Sequence, residues 1–322
     1  MYFKYLFLIF FWGLGEIILA QPSKTPALLP AVTEGYVRMG AMIGTAHYSG
    51  DIYSGLGFTR PSLGFFITRK ISPHTHLRLN LSAGRIEGDD SKSPEGSVAY
   101  ARNLHFRNDL KEIFVGFEYD LKASYGKHKK RKNFTPYFVA GIALLHHNPQ
   151  AKTPTKLGGQ WVDLQGLGTE GQGRIGYGTP YSKVQITIPV GIGVKFKIDN
   201  RWDFGIEIVP RLTFTDYLDD VGGAYPKLDD LGNPLAAAMS NRTLEPNSSL
   251  SGQKRNLELL YANFGTPISY TGFDGNIYQT LPPFQNGFTT RGGNQNRKDI
   301  YIFTGFHLSY IVDVGLKCPQ FR

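Results

Sequence analysis

The sequence predicts an all-β fold: an eight-stranded antiparallel transmembrane β-barrel with short periplasmic turns and long outer loops. Three observations predict it. Eight runs alternate apolar residues with polar or small ones, their connections are short and long by turns, and no apolar stretch after the N-terminal one is long enough for a helical span. Residues 202–214 are the clearest run: Trp202, Phe204, Ile206, Ile208, Pro210, Leu212 and Phe214 are apolar, while Asp203, Gly205, Glu207, Arg211 and Thr213 are polar or small. Successive side chains of a strand point to opposite faces, so one face is apolar along its whole length. From Phe204 to Phe214, at ~3.3 Å per residue and ~45° tilt, the strand rises ~23 Å, close to the ~25 Å apolar band of such barrels.

The chain opens MYFKYLFLIFFWGLGEIILAQ. Lys4 gives a positive start, Tyr5–Gly13 an apolar core and Ile18-Leu-Ala20 a small-residue cleavage site before Gln21. Glu16 interrupts the run, so residues 1–20 read as a cleaved signal peptide rather than a membrane helix. No cysteine follows the apolar run, which excludes a lipoprotein signal. Residues 21–33 then form a periplasmic N-terminal segment, residues 34–317 the outer-membrane barrel, and residues 318–322 a periplasmic tail.

The runs follow in order. Val37, Met39, Ala41 and Ile43 alternate with Tyr36, Arg38, Gly40 and Gly44. Leu63, Phe65 and Ile67 alternate with Ser62, Gly64 and Thr68, with Phe66 blurring the pattern. Leu77, Leu79, Leu81 and Ala83 oppose Arg78, Asn80, Ser82 and Gly84; Ile113, Val115, Phe117 and Tyr119 oppose Glu112, Gly116, Glu118 and Asp120. The fifth run places Phe134, Phe138, Ala140, Ile142 and Leu144 on one face, weakly separated from Tyr137, Val139 and Leu145. Val184 to Ile198 alternates with Lys183 to Lys197, and Asp199-Asn-Arg201 makes a tight hairpin into the 202–214 run. Ile300, Ile302, Phe306, Leu308, Tyr310 and Val312 close the series against Gly305, His307 and Ser309. Connections 71–75, 123–133 and 199–201 are brief; 48–59, 88–109 and the long outer loops 148–182 and 217–297 are not.

A soluble eight-stranded barrel would share the alternation with its faces reversed. The polar face decides against it, being rich in glycine and carrying both signs of charge. Arg38, Arg78, Glu112, Glu118, Glu207 and Arg211 are expected to pair in a narrow lumen and plug it; Lys195 lies on the same face. The 38 glycines, 18 tyrosines and 22 phenylalanines suit close lumen packing and interfacial girdles. A single cysteine, Cys318, excludes an internal disulfide. The net charge of +9 does not imply nucleic acid, which an exported chain does not meet.

Motifs for chemistry are weak. Gly166-Leu-Gly168-Thr-Glu-Gly171 matches a dinucleotide fingerprint but precedes no helix. Asp89-Asp90, Asp219-Asp220 and Asp229-Asp230 read as solvated turn residues, without the ligand spacing of a calcium loop. Alternation turns His307 and Ser309 towards the lumen, away from any lipid substrate, and His146-His147 reads as a rim pair. No catalytic residue, cofactor or metal is expected. The basic turn, with Lys127, Lys129, Lys130, Arg131 and Lys132, is a possible docking site for an acidic partner or lipid headgroups.

Several strings together resemble a known family: GDD at 88–90, ARNLHFRNDL at 101–110, IPVGIGVKF at 188–196, TFTDYLDDV at 213–221, MSNR at 239–242 and RGGNQNRKDIYIFTGFHLSY at 291–310. The chain is similar through them to PorG-like outer-membrane barrels of gliding or type IX-secreting Gram-negative bacteria. The resemblance runs from about residue 35 to the end, with a longer final loop and a glycine-rich third loop as departures. It implies a non-enzymatic barrel that anchors or stabilises a secretion or gliding complex, with outer-membrane lipid and periplasmic lipoprotein ring subunits of PorK/PorN type as partners. A binding or porin-like protein acting through its outer loops is the rival expectation, and a lipid-modifying enzyme a third.

Overall fold

The computed structural model describes residues 35–285, 290–292 and 297–312. The signal peptide with its cleavage point at Ala20 and Gln21, the 21–33 segment, and the tail with Cys318 lie outside the described residues. Eight long strands form the barrel: β1 (Val37–Ser49), β2 (Arg60–Lys70), β3 (Thr75–Asp89), β4 (His105–Asp120), β5 (Phe134–His146), β8 (Val184–Lys197), β9 (Trp202–Thr213) and β12 (Ile300–Val312). Each pairs antiparallel with its neighbours, and β12 pairs β1, so the sheet closes without a free edge. Closure matters physically, because every backbone amide inside a membrane must find its partner within the protein.

The alternation read from the sequence holds in register. On β4, the side chains from Leu110 to Asp120 are buried and exposed by turns. Phe66, ambiguous by pattern, points inward and is 1% exposed. The outward residues form an apolar belt that includes Ile43, Leu63, Ile113, Ile142 and Ile186, each more than half exposed. Towards the short turns the belt ends in aromatics: Phe134 lies 5.3 Å from Phe196 and Trp202 lies 5.0 Å from Tyr310. Such a girdle marks a membrane interface. No helix among the described residues is long and apolar enough to cross a membrane; the strands do so.

Several strands run further towards the loop end than alternation reveals. β3 continues to Asp89 and β4 begins at His105, which shortens the connection anticipated over 88–109 to residues 90–104. The loops are themselves folded. Residues 147–183 add the short strands β6 (Pro149–Lys152) and β7 (Trp161–Asp163), and β6 extends the sheet beside β4. The last loop holds helix α2 (Pro234–Ser240), helix α3 (Leu257–Phe264) and the hairpin β10 (Ile268–Thr271)–β11 (Ile277–Thr280), and helix α1 (Val98–Arg102) lies in the second long loop. Asn233 and Asn256 cap α2 and α3 by accepting from Leu235 and Leu259 backbone amides. Tyr100, Tyr225, Leu260, Leu281 and Phe284 form a core for this cap.

Candidate functional site

The lumen contains the densest polar chemistry, and the six charged residues expected there come from four of the barrel strands, β1, β3, β4 and β9. Arg38 donates to both carboxylate oxygens of Glu118 at 2.6 and 2.7 Å. Arg78 donates to Glu207 at 2.8 and 3.0 Å, and its Nε to Asn80 at 2.8 Å. Arg211 bridges to Glu112 at 3.1 and 3.2 Å. The Arg78 and Arg211 pairs match the two-nitrogen fork of a guanidinium to a carboxylate, Arg38 reaches both Glu118 oxygens through Nη2 alone, and all six side chains are at most 2% exposed. Four of the six, Arg38, Glu118, Arg78 and Glu207, join into one network through the 3.5 Å contact of Arg78 with Glu118, and Arg211–Glu112 forms a second pair.

Further partners fill the space that sequence reasoning left open. Lys195 on β8 reaches Glu118 and Asp120, each at 2.5 Å. On β5, Tyr137 donates to Glu207 at 2.8 Å, and Tyr301 on β12 donates to Glu112. Phe66 lies between two cations, with the Arg78 guanidinium 4.5 Å and the Arg38 guanidinium 5.6 Å from its ring centre. Small residues make room: a Cβ on Gly193 would fall 2.3 Å from the Tyr137 ring, and one on Gly40 2.4 Å from that of Phe66. In the sequence Phe66 and Tyr137 only blurred the alternation of their runs, and nothing there marked Tyr301.

Among the described residues, one group has the makings of a metal site: His76, Glu118 and Asp120, with ligand-type atoms within 4.8 Å of one another. The Lys195 ammonium already pairs with two of its members, Glu118 and Asp120, each at 2.5 Å, and supplies positive charge to them. His307 is buried and faces the Tyr137 hydroxyl at 3.0 Å, whereas the Ser309 hydroxyl donates to the Asp203 carbonyl at 3.4 Å. They share a face and have different partners, so they do not assemble a nucleophile and base. Of the rim pair, His146 is exposed and His147 is fully buried, where burial pushes its imidazole down to about 4.

Above the ions the lumen changes character. Ala46, Tyr48, Phe106, Leu110, Leu145 and Phe303 turn inward, and Leu218 and Val221 of the last loop insert among them as an apolar stopper. The acidic pairs, expected as solvated turn residues, are largely buried here instead. Asp90 takes two hydrogen bonds from Arg102, at 2.7 and 2.9 Å. Asp220 accepts from Thr169 at 2.5 Å and Tyr181 at 2.7 Å, and lies 3.5 Å from Arg291. Its left-handed backbone, φ 69°, is one that aspartate tolerates better than most residues. Burial raises the Asp220 carboxyl above its ordinary range, with Arg291 opposing, and pushes Glu170 up to about 7.

Asp219 and Asp299 meet at one tyrosine: the Tyr48 hydroxyl lies 2.6 Å from Asp219 and 3.0 Å from Asp299, and accepts from the Asp51 amide at 2.9 Å. One hydroxyl proton cannot serve two carboxylates, so the triad closes when one carboxyl carries its own proton. Burial drives this, pushing Asp219 up to about 8 and Asp299 well above its usual range. Only Asp229-Asp230 remains partly exposed, as a turn near the cap surface.

The turn end corrects the docking expectation. Lys127, Lys129, Lys130 and Lys132 are exposed, but Arg131 is only 8% exposed and cannot serve as a docking cation. It donates to Asp203 at 2.9 Å and to the carbonyls of Asn200, Asp199 and Trp202 at 2.7, 2.8 and 3.1 Å. Arg131 thus ties the 121–133 turn to the 198–201 hairpin, a long-range role invisible in a run of basic residues. The fingerprint at 166–171 sits in glycine turns packed on Tyr177, with no helix following.

A family model described as a domain of unknown function, DUF6089, matches residues 29–156. No curated protein matches the chain. Among solved structures, the chain is similar to Neisserial surface protein A (11% identity, TM-score 0.35, covering 86% of this chain and 97% of that one). It is similar also to Ail of Yersinia pestis (7%, TM-score 0.35, 87% and 99%) and to the outer membrane protein OprG of Pseudomonas aeruginosa (7%, TM-score 0.35, 87% and 97%). The strand register, closure and apolar belt of this chain are what identify it as a transmembrane barrel.

Proposed function

We propose that the protein is a non-conducting, non-enzymatic outer-membrane barrel that anchors or stabilises a secretion or gliding complex of type IX kind through contacts on its periplasmic side. The observation that carries this reading is the filled lumen: ion pairs cross it in several layers and an apolar stopper lies above them. A barrel so filled acts at its ends and outer wall. Short turns belong on the periplasmic side and long loops outside. The resemblance to PorG-like barrels supports lipoprotein ring subunits of PorK/PorN type as the partners. On the turn end, the exposed Lys129, Lys130 and Lys132 offer positive charge to an acidic surface, an attraction that weakens with salt.

The test is co-purification from mildly solubilised outer membranes. Lys129, Lys130 and Lys132 changed together to Ser, with Arg131 kept, are expected to leave the barrel folded and reduce recovery of periplasmic lipoproteins. An unchanged complex at every salt concentration would remove the basic turn as the docking face. A second reading, binding by the outer loops, is favoured by a groove of about 270 Å³ in the cap bordered by Lys227, Tyr270, Phe273 and Phe284. If cap residues, rather than turn lysines, control the recovered partner, that reading takes over.

A further inference from the structure

The outer wall is not uniformly convex. A shallow groove of about 590 Å³ lies at the loop end of the belt, on strands β2, β3, β4, β5 and β8. The pairing register shows how it is made. Leu63, Ala83, Lys111, His146 and Val184 are successive cross-strand partners and form one lateral rung. One step below, Phe65, Leu81, Ile113 and Leu144 form another, wholly apolar. Ala83, with a single methyl between larger neighbours, sets the depth of the groove.

Its chemistry divides at the upper rung. Directly below it the outward side chains that line the groove are all apolar, the charged Arg69 of β2 lying at the far, turn end of the wall, and above it Arg85 and Asp109 pair with each other at 2.5 and 2.8 Å. The upper rung therefore lies where hydrocarbon gives way to headgroups. Lys111 and His146 stand side by side there, directly opposite one another across the β4–β5 ladder. Among the described residues no side-chain hydrogen bond or ion pair engages either of them. Their donors are turned outward over an apolar trough, the arrangement that a phosphate with acyl chains beneath it would satisfy.

We propose that this groove binds one phosphorylated, multiply acylated glycolipid of the outer leaflet, lipid A, with a phosphate on Lys111 and His146 and acyl chains over the Leu81–Ile113–Leu144 rung. The leaflet rests on the orientation given above, long loops outward. Two features select this occupant. Two adjacent donors at the interface recognise an anionic headgroup. The rungs span five strands, or ~19 Å at ~4.8 Å per strand, which accommodates several chains side by side rather than the two of a phospholipid.

The full-length protein, purified in mild detergent, is analysed by native mass spectrometry for bound lipid, then titrated with lipid A, dephosphorylated lipid A or phosphatidylglycerol. Wild type is expected to retain lipid A and to prefer the phosphorylated form. Lys111→Gln should weaken that binding about fivefold, the worth of one basic residue near an anionic lipid surface. Lys111→Arg should restore it, and Ala83→Phe should fill the trough and displace the chains. Ala83 and Lys111 are exposed on the wall, so all three variants should keep the heat-modifiable migration of the folded barrel. Equal lipid A binding by wild type and Lys111→Gln would overturn the proposal. So would equal binding of phosphatidylglycerol, or a dimer cross-linked across this face in place of lipid. Loss of co-purifying lipoproteins without a change in lipid binding would count against the proposed function alone.

Discussion

Glu207→Gln tests the lumen network where it is most tightly connected. Glu207 is 2% exposed and accepts three hydrogen bonds, two from Arg78 and one from Tyr137, at 2.8 to 3.0 Å. The substitution keeps the volume and removes the charge, leaving the Arg78 guanidinium buried with less compensation. Breaking a buried pair from one side costs about 3–5 kcal/mol. Arg78 retains Asn80 at 2.8 Å and a long contact with Glu118 at 3.5 Å, so the lower end, about 3 kcal/mol, is expected. At ~1.4 kcal/mol per decade this is a shift of about 10²-fold in the unfolding equilibrium. Urea titration of barrels folded into vesicles, followed by band shift or tryptophan fluorescence, measures it. Exposed Glu95 is the appropriate reference, with Glu95→Gln expected within about 0.5 kcal/mol of wild type. Glu245 is unsuitable because it pairs with the buried Arg242 at 2.6 Å. Replacing both partners, as Arg78→Met with Glu207→Met, should recover most of the loss, since a buried apolar pair is often as stable as an ionic one. Glu207→Gln and Glu95→Gln behaving alike would refute the claim that these charges are buried and interdependent.

Other outcomes follow from the same geometry. Arg131→Ser should destabilise the turn end by about 2–4 kcal/mol, because it removes a buried cation from Asp203; unchanged unfolding would show that the two turns are not clamped. The cap should be more resistant to limited proteolysis near pH 5.5 than near pH 9. Its carboxyls at Glu170 and Asp219 have folded values raised to about 7 and about 8, above their unfolded ones, so the stability they contribute is present at low pH and lost as pH rises through those values. Asp219→Asn should flatten that dependence, and a cap cleaved faster at pH 5.5 would reverse the assigned direction. Gly193→Val should displace the Tyr137 ring and lower stability by about 1–3 kcal/mol, measured by the same titration.

The barrel was legible because a membrane makes alternation unambiguous: an outward position touches lipid and an inward one a narrow lumen, as Leu77-Arg78-Leu79-Asn80 illustrates. The charges of the lumen were legible for the same reason, but not their pairing. Arg38 meets Glu118 across 80 residues and Arg78 meets Glu207 across 129, and register along neighbouring strands does not reveal which side chains cross the lumen. The upper lumen was misjudged because alternation separates two faces without fixing the polarity of either along its length. Tyr48, Phe106 and Leu145 turn inward there, and Leu218 and Val221 come from a loop. Burial of Asp90, Asp219 and Asp220 depended on partners that the pattern does not point to, Arg102 from the same loop, Tyr48 from β1 and Arg291 from the far end of the last loop, and pairs of aspartates alone read as solvent-exposed turns. Arg131 differs from its lysine neighbours only in what it reaches.

Electrical conductance tests the central claim most directly. Purified barrels reconstituted into planar bilayers, with insertion verified by protease protection and heat-modifiable migration, are held across a range of voltages while current is recorded. The filled lumen predicts a baseline trace without unitary steps. Reproducible, voltage-independent openings from the intact barrel would contradict it, because ions would then be crossing the layers held by Arg38–Glu118, Arg78–Glu207 and Arg211–Glu112.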